Sequence, residues 1–419
     1  MKIQNTLKIL AILVLVILML FQFYAVSAAR NPTEITRSST PIYNTNLINS
    51  NYNSKTFIVE NSNLDRALQN GCTLIKKSKH ISTVNCASSR TISNLGLQED
   101  IELYGTNEDA NTQINADRVL YGFKVTGKGR KIVILDTGYD YTHPELSSSY
   151  LGGYDFVNED NDPMDDNGHG THVAGIITAD GLNPEAKGIA PDAGIISGKV
   201  LNEKNKGWAS DIVEAIYWAV DGPDGIYGTS DDFNADAISI SIGTNAPATY
   251  NTTTCDSAIQ YQSMVNAINY ADSHNVVVVI SAGNNGLLGV GFPGCISTAL
   301  TVGSVNSFDV VAIDSGRGPA LDLVAPGVNI LSTWLSNEYI TRSGSSMAVP
   351  MVSGTIALLK VKKPNLTSLE VKNALTKTAK DLGTKGYDWN YGFGRVDVFS
   401  AFRELLKGDY RKPPIPIAT

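Results

Sequence analysis

Continuous apolar runs such as Val276-Val277-Val278-Val279-Ile280 and Ile132-Val133-Ile134-Leu135 alternate with helix-patterned stretches from about residue 113 onward. Few folds accept that alternation. A strand that is apolar at every position must be buried on both faces, which a parallel sheet covered by helices provides and a one-sided antiparallel sheet does not. The strand-like runs are 131–135, 194–200, 237–242, 276–281, 299–302 and 321–325; the helical runs are 170–179, 209–219, 258–272, 347–362 and 368–378. An α/β domain with a mainly parallel sheet between helical layers is therefore expected, and the chain of 419 residues, 42% hydrophobic, is large enough to fill its core. In sheets of this kind, sites gather at the carboxyl ends of strands.

The strand ends and helix starts carry chemistry. The run 131–135 leads into Asp136-Thr137-Gly138, an acid followed by a glycine turn. The run 276–281 leads into Ala282-Gly283-Asn284, whose amide can donate to a developing oxyanion. In Asn167-Gly168-His169-Gly170-Thr171-His172 a histidine stands between two glycines at a helix start, where the backbone can approach a substrate closely. In Gly344-Ser345-Ser346-Met347-Ala348-Val349-Pro350 a glycine turn delivers Ser346 to the free N–H groups and positive dipole end of a helix, with Pro350 expected in its first turn. Serine there is also an ordinary N-cap; what separates the two readings is whether an acid, a base and an amide join it. His169 and His172, three residues apart, also suggest a metal pair. No glutamate follows as in the His-Glu-x-x-His pattern of a zinc protease, so no catalytic metal is expected.

These motifs, in this order, resemble the subtilisin-like serine proteases, the subtilases, over about residues 113–406. The resemblance implies a subtilisin-like three-layer fold, a mainly parallel β-sheet flanked by helices, preceded by a small α+β prodomain. It implies Ser346 as nucleophile, His169 as general base, Asp136 as the acid orienting the imidazole and Asn284 as oxyanion donor. Where the family usually has threonine this chain has Ser345, which keeps the hydroxyl. The resemblance also implies that Ser241-Ile242-Gly243 pairs with a peptide as an added strand, with Ala282 and Gly283 beside it. Gly291 and Gly294, around Phe292-Pro293, match the floor and wall of the pocket for the side chain before the scissile bond. Glycine at the floor, with no acid in that segment, leads to an expectation of broad specificity favouring large uncharged residues.

The loop 155–166 is dense in oxygen ligands and is similar to the calcium loop of thermitase-type subtilases, with Asp155, Asn158, Asp160 and Asp162 at matching places. The insertion carrying Asp221, Asp224, Asp231 and Asp232 is similar to calcium-binding insertions of thermostable subtilases. Structural calcium is expected on that basis, and solvated Asp/Gly turns are the plain alternative for both loops. The loop 180–187 has proline and alanine where a common subtilisin calcium site expects other residues, which puts that site in doubt.

At the other end, Lys2 and Lys8, the apolar run 9–21 and the small residues 27–29 look like an export signal. The uncharged run 9–29 is also about long enough for a membrane anchor; either way the catalytic part is expected outside the cytoplasm. Segment 1–29 is thus signal or anchor, 30–53 a linker, and 54–105 a small module with strands at 56–60, 80–85 and 88–92 and a helix at 63–70. Its position resembles the subtilase inhibitory prodomain, with 98–105 extended in the active site and autoprocessing between about 102 and 108. The catalytic domain then covers 106–406, and 407–419 is a proline-rich tail. Pairing Cys72 with Cys86 and Cys255 with Cys295 keeps each bridge inside one domain. Asn251-Thr252-Thr253 and Asn365-Leu366-Thr367 match glycosylation sequons. A net charge of −8 without a basic run argues against nucleic acid. The expected protein is a secreted, monomeric serine endopeptidase acting on protein or peptide substrates and inhibited by its own prodomain. The rival expectations are a membrane-tethered processing protease, if the N-terminal segment stays uncleaved, and a catalytically silent subtilase-fold scaffold.

Overall fold

The computed structural model describes residues 56–77, 81–86, 91, 95, 97–99, 110–244 and 252–406. The expected export segment and linker, most of the strand expected over 88–92, the stretch 102–108 where processing is expected, Asn251 and the proline-rich tail lie outside the described residues. The chain divides into two compact units, residues 1–104 and 105–419.

The smaller unit contains β1 (Thr56–Glu60), α1 (Leu64–Gln69), β2 (Cys72–Lys77), β3 (Ile81–Cys86) and β4 (Gln98–Glu99), in the antiparallel order β2-β3-β1-β4. Phe57, Val59, Leu64, Ala67 and Val84 form its core. Cys72 stands opposite Cys86 in the β2–β3 register and is bridged to it. The sequence pattern did not expose β2, because Leu74 and Ile75 are exposed and Lys76 and Lys77 break the alternation. Of the segment 98–105, the first two residues are β4 and pair with β1.

The larger unit is built on a seven-stranded sheet of order β11-β10-β9-β8-β5-β7-β6, parallel throughout. Its strands are β5 (Lys131–Asp136), β6 (Tyr150–Asp155), β7 (Gly194–Lys199), β8 (Ala237–Ile240), β9 (Val277–Ser281), β10 (Leu300–Val305) and β11 (Leu323–Pro326). From β5 the chain builds outward in one direction through β7 and β6 and in the other through β8 to β11. The border of β5 and β8 is therefore the topological switch point, where open sheets of this kind place their ligands.

Helices cover both faces: α2 (His169–Thr178), α3 (Ala209–Asp221), α4 (Gln262–Ser273), α5 (Ser345–Lys362), α6 (Ser368–Thr378) and α7 (Val398–Leu406). Along β5 the side chains divide by parity. Ile132 and Ile134 join a core with α2 and α5, whereas Val133 and Leu135 join the core beneath α3 and α4. Each such fully buried aliphatic side chain contributes about 1.5–3 kcal/mol. Helix α5 is buried almost all round, as the absence of a polar stripe in its sequence requires.

Strand β6 was not legible because Gly152 and Gly153 interrupt it. The antiparallel hairpin β12 (Ile330–Trp334) and β13 (Glu338–Arg342) was also missed; Ser332, Thr333 and Thr341 hide its pattern. A second disulfide joins Cys255 to Cys295, so both bridges connect sequential cysteines. Among the described residues no helix is long and apolar enough to cross a membrane.

Candidate active site

Asp136 is the last residue of β5 and is buried at the switch point. Its Oδ1 accepts from the Thr137 N–H and stands 2.7 Å from His169 Nδ1, while Oδ2 is buried without a hydrogen-bond partner among the described residues. His169 opens α2, preceded by Gly168 at φ 103°. A Cβ on Gly168 would meet the Trp334 ring at 2.4 Å, so glycine is required there by both φ and space. Burial alone would push the His169 imidazole down; the charge and hydrogen bond of Asp136, with Asp165 behind, outweigh it and hold it above its ordinary value. His172, one turn on, faces inward with Nε2 3.1 Å from the Ile340 carbonyl. Burial pushes it down to about 4, so it stays neutral at physiological pH.

The start of α2 is held by a residue that the sequence pattern did not single out. Asp165, buried, accepts from the Asn167, Gly168 and Thr171 N–H groups at 2.8–2.9 Å and from the Thr171 and Thr137 hydroxyls. Thr137 in turn accepts from the Gly170 N–H at 2.8 Å. One carboxylate thus ties the residues flanking His169 to the residue following Asp136. Its only sequence signal is an acid four residues ahead of a helix start, lost among the neighbouring acids of that loop. Lys199, also buried, donates to the Thr137 and Leu201 carbonyls and to Asp166 on the other side.

Ser346 is the second residue of α5, behind Gly344 at φ 147°. Pro350 lies inside this helix, beyond the first turn where it was expected. Having no N–H, it leaves the Ser346 carbonyl without its helical donor. The Ser241 hydroxyl supplies one at 2.9 Å, and the Ser346 hydroxyl donates to the Ser241 carbonyl at 3.2 Å. No hydrogen bond joins Ser346 to His169 in this arrangement among the described residues. Asn284, beyond the end of β9, accepts through Oδ1 from both the N–H and the hydroxyl of Ser345 at 3.0 Å. That fixes which way the carboxamide faces and leaves its Nδ2–H donors for another acceptor.

The expected substrate segments are stitched together. Ser281 Oγ donates to the Ile242 carbonyl, the Thr244 N–H to the Phe292 carbonyl, and the Gly291 N–H to the Ala282 carbonyl. The Gly283 carbonyl accepts from the Gly316 N–H. Gly243 is exposed, and a Cβ on it would meet nothing closer than 3.7 Å. A Cβ on Gly291 would press on the Thr244 carbonyl and Asn285 at 3.1–3.2 Å, whereas one on Gly294 would strike the Ser281 carbonyl at 2.5 Å. Gly294 is thus glycine for close main-chain packing.

The acidic loops do not converge on a point. Asp155 accepts from the Val157 and Asn158 N–H groups and the Asn158 amide, Asp160 from the Asp162 N–H, and Asp162 from Met164 and Tyr141. In the insertion, Asp224 accepts from the Ile226 N–H, Asp231 from the Asp224 N–H and the Thr229 hydroxyl, and Asp232 from the Gly228 N–H; Asp221 accepts from the Tyr270 hydroxyl. So arranged, these side chains cap their own turns and do not fit a metal, and no group of three or more His, Cys, Asp or Glu is close enough to hold one among the described residues. The loop 180–187 is held by a carboxylate: buried Glu145 accepts from the Gly181, Leu182 and Asn183 N–H groups and the Tyr339 hydroxyl.

A doubly wound parallel sheet with a buried carboxylate paired to an imidazole, a helix-start serine and an oriented amide on its carboxyl edge belongs to the class of serine hydrolases. Comparison with known proteins narrows the class: the profile of the subtilase family matches residues 127–394. The chain is 38% identical over 284 residues to the thermophilic serine proteinase of Bacillus sp. (strain AK1), covering 67% of this chain and 64% of that protein. It is 35% identical over 279 residues to subtilisin BL of Lederbergia lenta, 67% and 93% of the two chains. With serine protease AprX of Bacillus subtilis (strain 168) it shares 36% over 313 residues, 66% and 67%. The chain belongs to the subtilase family and is a serine endopeptidase.

Proposed function

We propose that this chain is an exported peptidase that cleaves peptide bonds through Asp136, His169 and Ser346. The observation that carries the reading is the 2.7 Å pairing of the half-buried His169, through Nδ1, with buried Asp136 at the switch point. The Ser346 hydroxyl leaves the Ser241 carbonyl, gives its proton to His169 Nε2, and Oγ bonds to the peptide carbonyl carbon. Asp136 keeps the imidazole in the tautomer with Nδ1–H and stabilises the imidazolium. The Asn284 amide and the Ser346 N–H receive the negative oxygen. On collapse the C–N bond breaks, His169 protonates the leaving amine, and water repeats the sequence on the acyl-enzyme. Ser241, Ile242 and Gly243 hold the peptide as an added strand. The pocket around Gly291 takes large uncharged side chains, because no acid stands there to hold Lys or Arg.

We also propose that residues 1–29 direct export, that 54–105 is an inhibitory prodomain removed between about 102 and 108, and that 106–406 acts as a monomer. One comparison tests the core of this reading: the full chain and its Ser346→Ala variant in calcium-containing buffer, followed by mass and by casein cleavage. The parent is expected to shorten to a start near residue 106 and digest casein while the variant stays at precursor length; a folded parent that does neither favours the silent scaffold.

A further inference from the structure

The helix that carries Ser346 is reached through a strand that ends on a charge. Strand β13 closes with Thr341-Arg342, and Ser346 follows four residues after the arginine. The main chain of Arg342 is fixed: it pairs with Ile330 in the hairpin register, and just beyond it the Gly344 N–H donates to the Gly327 carbonyl at 2.8 Å. Its side chain is placed as well, with the guanidinium carbon 4.6 Å from the centroid of the Trp334 ring. That is the ring lying against Gly168, the residue before His169. The charge of Arg342 is felt at His169 and at His172, where it opposes protonation. Arg342 is exposed, and its side chain has neither an ion pair nor a hydrogen bond among the described residues.

An exposed guanidinium over an aromatic ring gains about 0.5–1 kcal/mol, which holds it in place while its planar fork of N–H donors stays open to a carboxylate. Which half of a substrate meets that fork follows from the two sides of the site. The segments expected to hold the peptide before the cut, 241–243 and the stretch around Gly291, are joined to each other and, through Ser241, to Ser346. The β12–β13 hairpin instead packs on α2, where Ser332 and Thr333 donate to the His172 and Thr171 carbonyls. In the proposed mechanism His169 hands its proton to the departing amine, so this hairpin stands on the amine's side. We infer that Arg342 is a specificity-determining residue that favours an acidic side chain one or two residues after the scissile bond. The inference rests on the catalytic reading above and adds a charge preference in the half of the substrate for which that reading gives none.

The test gives the full chain quenched peptides blocked at both ends, with Phe before the bond and Asp, Asn or Lys as the first or the second residue after it, and mass confirms where each is cut. The Asp peptide is expected to exceed the Lys peptide in kcat/KM by at least about fivefold, with Asn between them, and salt raised to about 0.5 M should shrink that ratio. Because the ratio is taken within one enzyme, a general loss of activity cancels out of it, and a role in hairpin packing alone would leave it unmoved. Arg342→Gln should bring the ratio to within about twofold of one, whereas Arg342→Lys, which keeps the charge without the planar fork, should retain part of it. Equal rates of the parent on all three peptides, a ratio unmoved in Arg342→Gln, or Arg342→Lys indistinguishable from Arg342→Gln would each overturn the inference while the catalytic reading stands. A parent that cleaves no peptide at all overturns that reading and this inference with it.

Discussion

Asp136 faces the imidazole with one oxygen and keeps the other buried and unserved, so its charge is directed at His169 with little else to neutralise it. On the proposed mechanism His169 acts only when neutral, and because its folded pKa lies above the ordinary 6.5, the rate should rise with pH through a midpoint above that value. Asp136→Asn should lower turnover by about 10⁴-fold and move that midpoint down; a pH–rate profile on a peptide substrate reads both. Asn284→Ala should cost about 10²–10³ in turnover with little change in KM, a magnitude established on subtilisin, a relative, and not on this chain. Ser241→Ala strands the Ser346 carbonyl and should destabilise by about 1–3 kcal/mol in denaturant unfolding. Asp136, His169, Asn284 and Ser346 stood out in the sequence because each interrupts an apolar run or opens a helix. Ser241 was legible only as part of an edge segment. Its hydroxyl serves a carbonyl orphaned by a proline 109 positions later in the chain, a relation no local pattern displays.

At the scale of elements, what positions His169 is the start of α2, clamped by Asp165 from below and closed by the β12–β13 hairpin, where Ser332 and Thr333 donate to the His172 and Thr171 carbonyls. Asp165→Ala leaves buried N–H groups unserved and should lower stability by about 3–5 kcal/mol, visible as a fall in thermal midpoint together with lost activity. Glu145 plays the matching part for the loop 180–187. Burial would raise its pKa, but the N–H groups of Asn183, Leu182 and Gly181 and the Tyr339 hydroxyl outweigh this and hold it below its ordinary 4.5. Its contribution is therefore complete above that value and lost as pH falls through the lowered pKa. Glu145→Gln should accordingly reduce the thermal midpoint at neutral pH and flatten its decline under acid. Strands with unbroken apolar runs were readable. β6 and the β12–β13 hairpin were not, because their residues are chosen for close approach and for hydrogen bonds to neighbours.

Across the whole molecule, the alternation of strands and helices was enough to expect the parallel sheet, while the order of its strands depends on pairings between distant segments. The Cys255–Cys295 bridge ties the segment beside the expected specificity pocket to the helix Thr252–Ser257. Replacing both cysteines by serine should cost about 4 kcal/mol in chain entropy for a loop of this length, measured as a lower denaturant midpoint. The position of Ser346 has one more consequence. Its carbonyl and hydroxyl engage Ser241, 105 residues earlier, beside the central parallel strands, and such non-local pairings form slowly. On refolding, activity should lag well behind helix formation. On the proposed mechanism, the chain is made through its first 345 residues before its nucleophile exists, and its own unfinished body is spared the chemistry proposed for it.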